Sequence, residues 1–383
     1  RQRQMCIRDS VITNKLTNQP RINLGTSTTV YYVSPTGSDI NDGSSSRPWA
    51  TIQKAADKAT PGTTIYVEPG TYQQNIISKA NGTAIASITF TSATKWGAQI
   101  RSRGVQITWE NLGNYVNIVG FDISGDGSYG ILNRASYVQT IGNLVHDIPA
   151  SACTSDGGAG IDNGSYLGKY SGHDNNVIGN IVHDIGPKTP CNLVHGIYQA
   201  NFRANIWNNI SYRNSAMGIQ TWHAASDLNI ANNLVFDNGR GGIIIAAGGI
   251  PWTSTADNCV VVNNIAIHNA IYGIYEYGQT GIHNRYLNNL VYANPINLLL
   301  QHGNTAQGTI VADPRFVNFQ PDGSGDYHLA AGSPAIGTGT RTGEPTTDMD
   351  GFSRTIGTAV DLGPYAYRSG GARTGRHILK KLH

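Results

Sequence analysis

The chain has 383 residues, of which 39% are apolar and 13% charged, against roughly 45 to 50% and about 25% in an average soluble protein. Forty-six glycines and 36 asparagines fill the gap, a composition of tight turns and short strands rather than of a disulfide-stapled mini-protein or a disordered chain. No stretch reaches the roughly 18 apolar residues of a membrane span, and the net charge of +3 is carried by the two ends, which argues against a nucleic-acid partner.

In residues 1–24, Arg1, Arg3, Arg8, Lys15 and Arg21 against Asp9 give +4, and residues 368–383 give +5 through Arg368, Arg373, Arg376, Lys380 and Lys381, leaving the body acidic at −6. The opening RQRQMCIRDS is set aside from the fold, with 1–24 and 368–383 read as tails. Residues 25–114 are expected to form an N-terminal cap and the first coils. Within them, Ile52, Ala55, Ala56 and Ala59 have helical spacing and Pro61-Gly62 stops the helix.

From 115 to 312 the chain repeats. Asn143, Asn180, Asn209, Asn233, Asn264 and Asn289 each open a short apolar segment, at spacings of 37, 29, 24, 31 and 25. Between them Gly-Ile recurs at Gly130, Gly160, Gly196, Gly218, Gly242 and Gly273, with Asn297-Leu298 as a decayed copy. Coils of about 24 residues with several short strands predict a parallel β-solenoid. The Asn row is expected to hydrogen-bond along the stack and to take the left-handed backbone of the corner. Residues 313–367 are an exit segment expected to pack back along the coils.

Three blocks resemble the right-handed parallel β-helix proteins of the pectate-lyase-like superfamily: YYVSPTGSDINDGSSSRPWATIQKAADKATPGTTIYVEPGTY, the coils themselves, and DPRFVN through DLGPYAY. The resemblance implies an all-β fold with a helical cap, a secreted or cell-surface monomer, and a polysaccharide partner. It embraces lyases, hydrolases, epimerases and silent binders. Neither the arginine-rich motif of the main pectate lyases nor the paired aspartates of polygalacturonases is present.

Two consecutive coils carry insertions, at about 149–158 and 186–194, each with one cysteine; stacking sets Cys153 beside Cys191, and a disulfide is expected in an oxidising compartment. Rows beside Gly-Ile supply the candidate site: Asp162, Tyr198, Gln220 and Tyr275 one position on, Glu276 two on, and Trp222 and Tyr277 three on. Aromatic rings beside hydroxyl and amide groups suit sugars. Strand parity is left open, since both candidate rows contain polar residues.

The expected chemistry is β-elimination on a uronic-acid-containing polysaccharide. His195, Tyr198 or Lys169 is the base, His223 protonates the leaving group, Arg203 or a cation neutralises the carboxylate, and Trp222, Tyr275 and Tyr277 stack on sugars. Glu276, between two tyrosines, is a candidate for proton transfer. Asp147 and Asp184 share a repeat position about 5 Å apart, to be relieved either by Ca2+ with Asp174 or by Arg213. The alternatives to a lyase are a glycoside hydrolase and a non-catalytic polysaccharide-binding or adhesin β-helix.

Overall fold

The computed structural model describes residues 29–150, 153, 157–164, 170–249, 254–354 and 360–369. Almost all of its regular structure is parallel strand. Each coil contributes one strand to each of three sheets, of eleven, nine and nine strands, that run the length of the molecule. One coil, for example, is Asn176–Ile178, Ile181–Ile185 and Val194–Gln199. The fold is a right-handed parallel β-helix.

The Gly-Ile anchors set the register of the third sheet. Ile131, Ile161, Ile197, Ile219, Ile243, Ile274 and Leu298 pair in succession, and the six isoleucines form a fully buried column that packs into the core shared by all three sheets. Glycine precedes them because the corner is crowded: a Cβ at Gly160 would run into Val182 and Ile185.

The Asn row is a buried ladder. Asn143 donates to Asn180, Asn180 to Asn209, Asn209 to Asn233, Asn233 to Asn264 and Asn264 to Asn289, at 2.9 to 3.1 Å. Each acceptor oxygen also takes the backbone N–H of the previous asparagine. Every rung therefore satisfies groups that would otherwise be buried and unmet, at about 1 kcal/mol per bond. The left-handed residue is not the ladder asparagine but the one before it: Gly142, Gly179, Asn208, Asn232, Asn263 and Asn288 have φ between 49° and 65°. A second ladder, Asn214–Asn238–Asn269–Asn294–Asn297, holds the next corner.

The helix Ile52–Lys58, shorter than its apolar pattern, starts at Thr51, whose hydroxyl accepts from the Lys54 N–H at 3.1 Å. It buries Ile52, Ala55 and Ala56 over the open end of the core. The strand Thr29–Val33 precedes it and pairs with Thr63–Val67, so the eleven-stranded sheet begins ahead of the cap. At the other end the exit segment runs back along the left-handed corners. Asn288, Asn263, Asn229 and Asn208 donate in turn to the carbonyls of Thr338, Thr340, Gly343 and Thr347. Phe319 and Tyr327 then cover Phe236 on the second sheet. No helix among the described residues is long and apolar enough to cross a membrane.

Candidate active site

The third sheet resolves the parity. With the isoleucine column inside, the next residue of each strand faces out: Leu132, Asp162, Tyr198, Gln220, Ile244 and Tyr275 are in register on the outer surface. The residue after that, Asn133, Asn163, Gln199, Thr221, Ile245 and Glu276, faces in, where every one is fully buried and Asn133, Asn163 and Gln199 form a third amide ladder.

Above the outward row lies a cleft of about 860 Å³, lined among others by Tyr129, Leu132, Arg134, Asp162, Tyr170, His195, Tyr198, Trp222 and His223. Its wall includes Gly157, Gly158 and Leu193 from the two inserted segments. Cys153 and Cys191 are joined in a disulfide, their Cα atoms 5.6 Å apart, which fixes this wall. Loops on a rigid scaffold are where binding groups concentrate.

Five of the residues expected at the site meet here. The His195 ring lies nearly parallel to Tyr198, 5.5 Å between centroids. His223 stacks on Tyr170 at 3.7 Å and stands edge-on to Tyr198 at 6.3 Å. Burial raises Asp162 to about 7, with Arg134 pulling the other way, and burial, helped by the Arg240 charge, lowers His195 to about 3. Burial also holds the Tyr198 phenol well above its ordinary value. Asp162 Oδ1 and His195 Nδ1 are buried with no hydrogen-bond partner.

Others are placed elsewhere. Glu276 is inside the coil: its Oε1 accepts from Asn284, Tyr286 and Asn304 at 3.0, 2.8 and 2.9 Å, and Oε2 accepts from the Gln301 N–H at 2.6 Å. It is a structural anchor, not a proton-transfer group. Arg203 is exposed at the corner before the eleven-stranded sheet, paired with Asp174 at 2.8 Å and stacked over Phe202. Gln220 turns its amide to the Thr221 carbonyl, and Tyr275 is buried against Tyr272. Tyr277 reaches the cleft only through Trp222, on which it stacks at 6.0 Å. Lys169 lies outside the described residues.

The three carboxylates expected to hold Ca2+ do not converge. Asp174 is taken by His173 and Arg203 at a different corner from Asp147 and Asp184. Asp147 bonds His146 at 2.7 Å, and Asp184 is shared by His183 and Arg213. The crowding is thus relieved by ion pairing, and no cluster of three metal-ligating side chains occurs among the described residues.

Two contributors escaped the sequence. Arg134 lines the cleft with its Nε bonded to Glu110 Oε1 at 2.7 Å, and Tyr170 forms the wall under His223. Arg134 had a signal: it stands three positions after Ile131, the place that Trp222 and Tyr277 hold in later coils. Tyr170, on an inserted loop, follows no repeat.

Comparison with known proteins agrees with this architecture. Residues 35–82 match a family described as a protein of unknown function, DUF1565. An uncharacterized protein of Bacillus subtilis (strain 168), YwoF, is 44% identical over 59 residues, 15% of this chain and 13% of that protein. Among solved structures, the pectate lyase Pel9A superposes with a TM-score of 0.67 at 18% identity, over 90% of this chain and 98% of its own. A rhamnogalacturonan lyase gives 0.54 at 15% identity, over 77% and 92%. An alginate lyase from Paenibacillus sp. str. FPU-7 gives 0.51 at 18%, over 68% and 92%. These likenesses establish the pectate-lyase-like fold.

Proposed function

We propose that the protein is an extracellular carbohydrate-active enzyme, a polysaccharide lyase that cleaves a uronic-acid-containing polymer by β-elimination and works as a monomer. The observation that carries this reading is the cleft itself, where a guanidinium, a phenol and an imidazole line one sugar-sized cavity edged by Trp222. The lyases that share the fold support it. The Cys153–Cys191 bridge supports an oxidising, secreted or cell-surface setting.

Elimination breaks the C–H bond alpha to the carboxylate and the C–O bond beta to it, leaving a carbon–carbon double bond. Arg134 would neutralise the substrate carboxylate, which acidifies that C–H. His223 would accept the proton, and Tyr198, held as the neutral phenol, would give its own to the departing oxygen. Parallel to Tyr198 and kept uncharged, His195 fixes the phenol ring. Relative to the sequence expectation, Arg134 replaces Arg203, and His223 and Tyr198 exchange the base and acid duties.

One observation favours hydrolysis as the second reading. Asp162, Leu132 and Glu110 are in register on three successive strands, which sets the two carboxyl groups about 9.6 Å apart at the strand spacing, at the upper edge of the separation used by inverting glycosidases. Incubation with pectate, alginate, glycosaminoglycans and neutral glycans separates the two. We expect a product absorbing near the ultraviolet edge from a uronate polymer; reducing ends without that absorbance would overturn elimination in favour of hydrolysis.

A further inference from the structure

The unmet polar atoms of the cleft specify a ligand group. Asp162 is only 8% exposed, one of its oxygens is buried without a partner, and among the described residues no cationic side chain ion-pairs with it. The guanidinium that shares the cleft and whose charge acts on Asp162, Arg134, is held to Glu110 through Nε, a bond that does not use the two terminal nitrogens. The remaining groups around the carboxyl are Tyr129 and Leu132 on the preceding coil, Tyr198 in register on the next, His195 at the start of that same strand, and Tyr170 and His223 on the loop side. The Tyr198 phenol and the His195 imidazole are uncharged near neutrality. An ionised carboxylate in such surroundings would be buried without a bonded counter-charge, which is costly, whereas the neutral acid carries an O–H donor.

We propose that Asp162 enters the complex as a neutral carboxylic acid whose O–H donates to the carboxylate of the bound uronate, on the group that the Arg134 guanidinium also faces. This rests on the uronate reading above and names the residue that distinguishes a uronate from a neutral sugar. A sugar hydroxyl would also accept from Asp162, but a carboxylate forms the stronger, charge-assisted bond. Its negative charge makes Asp162 harder to ionise, so the bound complex keeps a proton that the free protein gives up in mild alkali. Binding above neutrality therefore takes up a proton from solvent.

Isothermal titration with saturated trisaccharides of galacturonate, mannuronate and guluronate and with their methyl esters, each in two buffers of different ionisation enthalpy, tests this. For an acid that binds, we expect uptake approaching one proton per ligand at about pH 8.5 and near zero at about pH 5.5, with the ester at least about tenfold weaker. Asp162→Asn, confirmed folded by its thermal transition, should show near-zero uptake at both values. Binding of the acid at pH 8.5 without proton uptake, or uptake retained in Asp162→Asn, would overturn the assignment. If uptake is absent while unsaturated product forms, the lyase reading stands and the role of Asp162 falls. If acids and esters bind alike and reducing ends appear without absorbance, the lyase reading falls and takes this inference with it.

Discussion

Two clefts of similar size open on the surface of the β-helix, and they treat charge in opposite ways. The second, about 970 Å³, is lined by Asp126, Asp147, Asp184, Lys188, Arg213 and Asp237 at the corner after the second sheet. There Asp147 is matched by His146, Asp184 by His183 and Arg213, and Asp126 by the Gly104 N–H, while Asp237 faces the charges of His268 and Arg213. In the first cleft Asp162 and His195 carry buried atoms that nothing meets. Volume does not distinguish a binding site here, and a single unmet amide oxygen, Asn214 Oδ1, occurs in the second cleft too; what separates the two is titratable groups with buried, unmet atoms, for which folding alone has no use.

The contrast predicts that substitutions in the first cleft change turnover, whereas those in the second change stability and leave turnover alone. The largest effect is expected from Tyr198→Phe, which keeps the ring stacked on His195 and removes only the O–H. Loss of a general acid should lower kcat by about 10²- to 10⁴-fold, with a thermal midpoint close to that of the parent. A fall in kcat of less than about tenfold, with unchanged KM, would remove Tyr198 from the proton transfer.

Next in size is a gain rather than a loss. Asp162 is raised from the ordinary carboxylate value to about 7, so the folded state holds a proton that the unfolded state releases. The sign follows: nothing is lost below about pH 4, and stability falls as pH rises from there through about 7, by a few kcal/mol at an exchange of about 1.4 kcal/mol per unit. Asp162→Asn should therefore raise the unfolding free energy at pH 8 and leave it unchanged near pH 4, as denaturant titrations at both values would record. Equal stability at both would mean that the carboxyl is ionised in the fold. Across the molecule a histidine follows the same sign in a more alkaline window. Burial pulls His146 down, but the hydrogen bonds it donates to the Asp122 and Asp147 carboxylates outweigh this and raise it to about 9, so its contribution is complete below about pH 6.5 and disappears as pH rises through about 9. His146→Gln should flatten that alkaline decline without changing kcat.

These placements also mark what could be read without coordinates. The Gly-Ile column, the Asn143-to-Asn289 ladder and the Cys153–Cys191 pairing were legible because stacking forces identical positions into contact, so spacing alone reports them. The inward and outward rows were not, because alternation of apolar and polar residues is the usual guide to parity and here the inner row is polar. Asn133, Asn163 and Gln199 satisfy one another inside the coil, and Glu276 is held there by Asn284, Tyr286, Asn304 and the Gln301 N–H. A carboxylate between two tyrosines looks like a reactive group until its four donors are seen. Arg203 misled for the converse reason, since its partner Asp174 lies 29 residues away on the previous coil.

The third effect belongs to the second cleft. Arg213 bonds Asp184 and also donates to the Asp322 carbonyl of the exit segment at 3.0 Å. Arg213→Leu should cost about 1 to 3 kcal/mol, most of it from leaving Asp184 without its guanidinium, and kcat should stay at the parent value. A matching loss of kcat would show that the two clefts are coupled.

The smallest effect sharpens the boundary of the first cleft. Tyr275 and Tyr277 sit two positions apart on one strand, yet Tyr275 is 5% exposed and packed on Tyr272, while Tyr277 is 55% exposed and stacked on Trp222. An exposed ring beside a cleft-lining tryptophan offers a second sugar face along the helix axis, and an aromatic contact of that kind is worth about 0.5 to 1.5 kcal/mol. Tyr277→Ala should therefore raise KM for a polymer by about two- to tenfold, leaving kcat and the thermal midpoint alone, and leaving KM unchanged for an oligosaccharide too short to reach it. Tyr275→Ala should do the reverse, lowering stability by about 2 to 4 kcal/mol through the cavity it opens, with little change in KM. If the two variants behave alike, the polymer does not run from Asp162 toward Trp222, and the sugars beyond the reacting one leave the cleft on the side of Gln106 and Ile107.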